Sequence, residues 1–336
     1  MATNPALSDR AALRDWQAEL RDAVRDVADL AGLLELPADV LHARIAGAST
    51  FPLLVPRGFV ARMRKGDPDD PLLLQVLPLA IEDDVPAGYS ADPLDEQAIA
   101  DDGLLQKYAG RALLITSGAC PVHCRYCFRR SFPYQAQLAA RANWSGALRA
   151  LQNAPDVEEV ILSGGDPLSL SNRRLSVLLR RLESISSLRR VRIHTRFPIM
   201  VPERVDRGLL ELLAATSLQT IVVVHTNHAR EIDAAVAGAL RALKRNVDQL
   251  LNQSVLLHGI NDRADTLVAL SERLFECGAL PYYLHMLDPV AGAAHFAVAE
   301  SLAVELMRRL EARLPGYLVP KLVREIPGKP SKSHIT

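Results

Sequence analysis

Three of the chain's four cysteines lie in one short stretch, "ACPVHCRYCFRR", at Cys120, Cys124 and Cys127. Thiolates bind metals and carry redox chemistry, so this C-x3-C-x2-C motif indicates a metal site or a redox site. Three interpretations are open: a zinc site with a fourth ligand such as His123, cysteines that cluster by chance, or a [4Fe–4S] cluster held by three thiolates. We favour the [4Fe–4S] cluster, because three thiolates leave one of its irons without a protein ligand, and that iron can bind a small molecule.

The elements that must position these cysteines alternate regularly from Arg111 onward. Short apolar runs predict six strands: "ALLIT" (112–116), "VEEVILSGG", "LRRVRIHT", "LQTIVVVHT", "QLLNQSVLLHG" and "LPYYLHML". Amphipathic segments between and after them predict helices at Trp144–Leu151, Arg173–Ile185, Glu203–Leu213, Ala229–Leu243, Ala264–Cys277 and Val298–Leu314. Strands that read as apolar on both faces and alternate with helices indicate a parallel sheet covered by helices. Six units are too few for an eight-fold barrel, so we predict an α/β fold with an open, partial (βα)6 TIM-like barrel.

Polar residues follow each predicted strand at its carboxyl end, where such barrels carry their chemistry. The cysteine loop follows the first strand, and "SGGDPL", "HTRFP", "HTNH", "HGIND" and "HMLD" follow or end the other five. The six segments together predict a wide, ligand-lined mouth. His194 and His225 at this edge are candidates for lining it.

The N-terminal part has a different texture. Residues 1 to about 50 are predicted to be mainly helical, and the acidic, turn-rich "DDVPAGYSADPLDEQAIADDG" reads as a loop that leads into the barrel. We therefore divide the chain into a mostly helical N-terminal extension, 1–103, and a barrel, 104–336.

Composition limits the class of protein. Basic and acidic residues balance at 39 each, which argues against a nucleic-acid-binding surface. The N-terminal residues lack the apolar core of a signal peptide, and the longest apolar stretch, "PLLLQVLPLAI", is too short for a bilayer. We expect a cytoplasmic protein without membrane contact.

The cysteine motif, with Tyr126 directly before Cys127, resembles that of the radical S-adenosylmethionine (SAM) enzymes. The resemblance implies a barrel of the radical SAM type, a [4Fe–4S] cluster on the three cysteines, and SAM bound at the open iron. "SGGDPL" resembles the family's glycine-rich stretch, which makes Gly164, Gly165 and Asp166 candidates for binding the SAM amino group. It also implies an electron donor such as flavodoxin or ferredoxin.

From Leu104 to Lys332, the stretches "CRYCFRR", "SGGDPL", "HTRFP", "LNQSVLL", "PYYLHMLD" and "GYLVPKLVREIPGKPSK" resemble the lysine 2,3-aminomutase family in order. The resemblance implies pyridoxal 5′-phosphate (PLP) on a lysine near the C-terminus. The family has "GGGGK" where this chain has "PGKPSK", so the counterpart is Lys332, with Lys329 as a rival. The predicted contacts of the PLP phosphate are Lys107, Tyr108 and Arg111.

The substrate implied by this resemblance is lysine. Arg129 matches the arginine that pairs with the substrate carboxylate, and Asp288 and Glu325 match the two acids that hold its ε-ammonium. Glu325 replaces an aspartate of the family. The stretch "VPRGFVARMRKGDPDDPLLLQV" resembles the bacterial branch that makes β-lysine for elongation factor P, which implies a functional link to an elongation factor P ligase. Two alternatives stay open: glutamate 2,3-aminomutase and a non-catalytic, metal-stabilised scaffold.

Overall fold

The computed structural model describes residues 15–37, 51–99, 103–134 and 143–336. Within these ranges, nine strands form one sheet in chain order, and the seven strands from β2 to β8 are parallel. The edge strands β1 and β9 pair antiparallel with β2 and β8. The strands are β1 Leu104–Tyr108, β2 Arg111–Ser117, β3 Glu159–Gly164, β4 Arg190–Thr195, β5 Gln219–His225, β6 Gln249–Val255, β7 Leu280–His285, β8 Lys321–Arg324 and β9 Ser333–His334.

Helices precede the sheet in the N-terminal segment, and further helices connect the parallel strands and cover the outer face of the sheet. They are α1 Trp16–Arg21, α2 Val27–Leu33, α3 Arg57–Val60, α4 Glu96–Ile99, α5 Ser145–Gln152, α6 Asn172–Glu183, α7 Phe197–Met200, α8 Arg207–Ala215, α9 Ala234–Lys244, α10 Ala264–Glu276 and α11 Glu300–Glu311. Short polar caps start several of them, as where Ser171 accepts a hydrogen bond from the Arg174 N–H. Among the described residues, no helix combines the length and apolar character needed to cross a bilayer.

The predicted α/β fold with an open, partial barrel is confirmed, and the six predicted strands are β2 to β7. The strands β1, β8 and β9 were not predicted from the sequence. β8 is only four residues long, and Leu322 and Val323 are its two buried side chains, so its apolar signal is too short to stand out. The sheet therefore has one parallel strand more than the six predicted.

The strands alternate between two environments rather than being apolar on both faces as expected. Side chains such as Leu114, Leu162 and Ile193 point outward into the main apolar cluster beneath the helices. The residues between them face the barrel interior and include charged and polar groups, namely Arg192, His194, His225, Gln253 and His285. The expectation fails because this interior surrounds a cavity and is not a packed apolar core.

The N-terminal segment packs against the barrel. A bridge between Val24 and Val55 interrupts the segment predicted to be mainly helical, and α1 and α2 lie on either side of Val24. Leu30 and Leu72 join the same apolar cluster as the barrel residue Leu114. Residues 1–14 and 38–50, also predicted to be helical, lie outside the described residues.

Candidate active site

The carboxyl ends of the parallel strands surround a cavity of about 400 Å³. Every residue that the sequence analysis assigned to the site lines it: Lys107, Tyr108, Arg111, Cys120, Cys124, Cys127, Arg129, Gly164, Gly165, Asp166, Asp288, Glu325 and Lys332. His194 and His225 also line it. Residues from both ends of the barrel domain therefore meet in one place, which the sequence order alone does not show.

The cysteine loop after β2 is anchored by the N-terminal segment. Arg125 is fully buried; its guanidinium pairs with Glu82, and its backbone N–H donates to the Gln75 carbonyl at 2.9 Å. His123 stacks on Phe51, and its Nδ1 lies 2.9 Å from the Pro52 carbonyl oxygen. These contacts tie His123 to the N-terminal segment, which weakens the zinc interpretation that used it as the fourth ligand.

The three thiols are partly buried and line the cavity, a setting that suits a cluster. Burial, followed by the neighbouring thiol of Cys124, raises the pKa of Cys127 to about 11, and burial also raises the pKa of Cys120. Iron binding would stabilise the thiolate forms that burial disfavours. Within the described residues, no three His, Cys, Asp or Glu side chains converge on a single metal ion. An iron–sulfur cluster does not need such convergence, because each thiolate binds a different iron.

The glycine-rich stretch at the end of β3 packs directly on the cysteine loop. Gly164 has a φ of +117°, and the Gly165 N–H donates to the Ser117 carbonyl at 2.7 Å. A Cβ on Gly165 would lie 2.5 Å from the Ala119 carbonyl oxygen. Only glycine permits this approach of two backbone segments.

Gly165→Ala is therefore expected to displace the cysteine loop and lower the iron bound per chain after anaerobic reconstitution, with a stability cost of about 1–3 kcal/mol. Gly238→Ala is the matched control, because nothing lies within 4 Å of a Cβ at this position in α9. The control should bind iron as the wild type does. Iron and sulfide analysis with thermal melting checks both, and an unchanged iron content in Gly165→Ala would contradict the tight packing.

Asp166 lines the cavity, yet its carboxylate is engaged by the protein. It accepts hydrogen bonds from Thr195 Oγ1 at 2.8 Å, the Arg196 N–H at 2.7 Å and the Leu168 N–H at 2.9 Å. Burial raises the pKa of Asp166 to about 6 despite these donors. The side chain thus joins the ends of β3 and β4, and its predicted contact with SAM remains a prediction.

Five residues of alternating charge run along the cavity wall. The guanidinium of Arg129 contacts the Glu96 carboxylate at 2.5 and 2.9 Å, and Lys107 Nζ lies 2.9 Å from Glu96 and 2.8 Å from Glu325. Glu325 also pairs with Lys332 Nζ. Burial opposes the ionisation of Glu325, but Lys332 and Lys107 overcome it and lower its pKa to about 2. Two of the predicted partners of the substrate, Arg129 and Glu325, are therefore charged and linked through Glu96 and Lys107.

Glu96 is a site residue that the sequence analysis missed. It lies in α4, inside the acidic segment that was predicted to be a loop, and is only 2% exposed. Burial would raise its pKa, but Arg129 and Lys107 hold that pKa below its usual value. Nothing in its local sequence marks it, because its partners lie on distant segments.

The barrel interior also presents neutral histidines. Burial lowers the pKa of His225 to about 3, and it lowers the pKa values of His194 and His285 as well. His225 Nε2 lies 2.5 Å from Gln253 Nε2, while the Nε2 atoms of His194 and His285 have no hydrogen-bond partner among the described residues. Unpartnered buried nitrogens on a cavity wall fit a polar ligand. His228 lies away from the cavity and caps residues 229–231.

The two candidate lysines occupy different environments. Lys332 Nζ is partly buried, pairs with Glu325 and lies 6.0 Å from the centre of the Tyr283 ring. Lys329 is exposed and is not part of the cavity wall. Arg111 lies over the Tyr108 ring at 4.6 Å near the same end of the cavity. The geometry therefore favours Lys332 over Lys329 as the residue that reaches a bound cofactor.

Comparison with known proteins identifies the family of the chain. Residues 114–270 match the Radical SAM superfamily. The chain is 48% identical to the L-lysine 2,3-aminomutase of Escherichia coli over 95% of this chain and 94% of that protein. It is 44% identical to the Haemophilus influenzae enzyme of the same name over 95% of each chain. A radical SAM methyltransferase structure from Sphaerobacter thermophilus aligns with a TM-score of 0.45 at 17% identity, covering 66% of this chain and 68% of that chain. The chain belongs to the L-lysine 2,3-aminomutase family and contains a radical SAM domain.

Proposed function

We propose that the protein is an L-lysine 2,3-aminomutase that moves the amino group of lysine from carbon 2 to carbon 3 and releases β-lysine. The observation that carries this proposal is the single cavity shared by the three cysteines, the acids Asp288 and Glu325, and Lys332. A radical SAM domain uses a [4Fe–4S] cluster with SAM, and lysine 2,3-aminomutases add PLP; together these groups supply a carbon radical and the unsaturated nitrogen that permits the shift.

The chain's own residues bind and position these groups. Cys120, Cys124 and Cys127 would hold the cluster, and Gly164 and Gly165, which line the same cavity, would let SAM approach the β3 backbone. Lys332 would carry PLP, and Lys107, Tyr108 and Arg111 would bind its phosphate. Asp166 would contact SAM. The cavity lies inside the barrel, which limits the access of water to a reactive radical.

The charges of the cavity select the substrate. Arg129 offers a planar cation to the substrate carboxylate, and Asp288 and Glu325 offer two acids to a distant ammonium. A glutamate substrate would place a second carboxylate against those acids, and the repulsion makes glutamate 2,3-aminomutase the weaker alternative. A cation and two acids in one cavity thus match the carboxylate and the ε-ammonium of lysine.

The wider setting is also proposed. An electron donor such as flavodoxin or ferredoxin would reduce the cluster. The reducing cytoplasm would keep the three cysteine thiols from forming disulfides before the cluster binds. The N-terminal resemblance supports β-lysine as a supply for elongation factor P and a functional link to its ligase. The balanced charge of the chain supports a protein that does not bind nucleic acid.

The test is anaerobic reconstitution with iron and sulfide, followed by incubation with SAM, a reductant, PLP and L-lysine. Mass spectrometry should detect β-lysine, and metal analysis should find iron with sulfide. Zinc without sulfide would instead indicate the scaffold alternative. Iron without any product from lysine, but with β-glutamate from glutamate, would indicate the sister activity.

Asp288 should make the ligand-free protein sensitive to pH. Burial is the main cause that raises the pKa of Asp288 to about 7, and the negative charge of Glu325 is the second. The positive charges of Lys332 and Lys107 partly oppose this rise, and the negative charge of Glu96 adds to it. The unfolded carboxyl ionises near pH 4, so between about pH 4 and 7 the folded protein holds a proton that the unfolded chain has lost. This group therefore lowers stability as pH rises through that window.

Asp288→Asn should remove this contribution to the pH dependence of the free energy of unfolding, which amounts to a few kcal/mol at most between about pH 4 and pH 7. The measurement is the apparent melting temperature of ligand-free protein at several pH values. Glu272→Gln removes an exposed carboxylate from α10 and should follow the wild-type profile. Parallel profiles for Asp288→Asn and the wild type would show that Asp288 ionises normally.

A further inference from the structure

Arg196 follows β4 directly, and its guanidinium reaches the cysteine loop. Its Nη1 donates to the Sγ atom of Cys124 at 2.7 Å and also contacts the Tyr126 hydroxyl. The side chain is only 8% exposed. A buried cation thus directs an N–H group at one of the three sulfurs that would hold the cluster.

The other contacts of Arg196 fix this direction. Its Nη2 donates to Gln75 Oε1 at 2.8 Å and to Glu231 Oε2 at 3.2 Å. Its backbone N–H donates to Asp166 at 2.7 Å. Gln75 of the N-terminal segment and Glu231 after β5 hold the guanidinium, while Asp166 of the glycine-rich stretch holds the backbone of Arg196.

Charge near a cluster sulfur changes the energy of reduction. Reduction adds one electron from a donor of the flavodoxin or ferredoxin class, so the cluster and its thiolates become more negative by one charge without making or breaking a bond. A hydrogen bond from a cation to a ligand sulfur stabilises that extra charge and raises the reduction potential. The buried Glu231, with a fully covered carboxylate beside Arg196, acts with the opposite sign.

We propose that Arg196 is a positioning residue that raises the reduction potential of the cluster through Cys124, and that Glu231 moderates it. The inference rests on the proposed function, since it requires the cluster. A purely structural role would explain the burial of Arg196. It would not produce shifts of opposite sign when the cation and its carboxylate partner are removed separately.

The experiment is a redox titration of the reconstituted protein without SAM, followed by electron paramagnetic resonance of the reduced cluster. Arg196→Met should lower the midpoint potential, and Glu231→Gln should raise it, each at the iron content of the wild type. Arg204→Met is the matched control, because Arg204 is a buried arginine that donates to the carbonyls of Leu168 and Leu170. Its midpoint should stay at the wild-type value.

The outcomes separate the inference from the proposed function. A lower midpoint potential in Arg196→Met together with a higher one in Glu231→Gln supports the inference. An unchanged midpoint potential in Arg196→Met with full iron, or shifts of the same sign in both variants, overturns the inference but not the proposed function. If Arg196→Met fails to hold iron, Glu231→Gln decides: an upward shift supports the inference, and an unchanged midpoint overturns it. A wild-type chain that takes up no iron and sulfide overturns the proposed function itself.

Discussion

Lys332→Ala is expected to abolish β-lysine formation and the visible absorbance of lysine-bound PLP, while the iron content stays at the wild-type level. The reason is geometric. Lys332 Nζ lies on the cavity wall beside Glu325, whereas the cysteines approach the cavity from the loop after β2. Removing the amine therefore removes the attachment point for PLP without disturbing the thiols. Absorbance spectra, iron analysis and product detection on one preparation check the three expectations.

Lys329→Ala is the control for this experiment. Lys329 lies three positions earlier in the same segment but is exposed and outside the cavity wall. It should retain both the absorbance and the activity. Loss of the PLP signal in Lys329→Ala with retention in Lys332→Ala would reverse the assignment. Melting temperatures of both variants are needed, because Lys332→Ala leaves Glu325 with Lys107 as its remaining described cationic partner.

The parts of the fold that could be predicted are those with a local signal. The strands β2 to β7 carry continuous or alternating apolar residues, and the helices between them show a clear apolar face. The strand β8 has no comparable signal, since Leu322 and Val323 are too few to mark it. The interruption of the N-terminal segment that was predicted to be mainly helical depends on the bridge from Val24 to Val55. The spacing of apolar residues along the sequence does not reveal such a long-range contact.

The same distinction applies to the candidate site. The cysteines, the glycine-rich stretch and Lys332 are recognisable because short motifs carry them, and the structure brings them to one cavity. Glu96 and Arg196 were missed as site residues because their contacts join segments far apart in the chain. His285 had a usable signal: the alternation of inward and outward residues in β7 places it on the cavity side, while Leu284 joins an apolar cluster.

Arg129 should determine how well the enzyme binds the carboxylate of its substrate. Its guanidinium is held by two contacts with Glu96, and its Nη1 donates to Ser163 Oγ at 3.0 Å. These three bonds leave N–H groups on both terminal nitrogens for a ligand, since an arginine has five donors. Glu96 thus orients the fork, and Lys107 shares the negative charge of Glu96 so that it does not cancel Arg129 completely.

Arg129→Lys keeps a positive charge beside Glu96 but loses the planar fork. The loss of one bidentate, charge-assisted contact is worth about 2–3 kcal/mol, so kcat/KM for lysine should fall by roughly 30- to 150-fold. Most of the change should appear in KM if the contact is equally strong in the ground state and the transition state. The iron content and the PLP absorbance should stay unchanged, which separates a defect in substrate binding from a defect in cofactor loading.

Arg130→Lys is the matched control for Arg129→Lys. Arg130 is the next residue and is equally buried, but it pairs with Glu82 and donates to the Gly292 carbonyl instead of reaching Glu96. Its replacement should alter stability more than KM. Equal losses of kcat/KM in the two variants would show that replacing either buried arginine disturbs the cysteine loop. A wild-type KM in Arg129→Lys would place the substrate carboxylate elsewhere in the cavity. The contrast between adjacent arginines, one linked to Glu96 and one to Glu82, therefore tests whether the alternating charges along the wall orient the substrate.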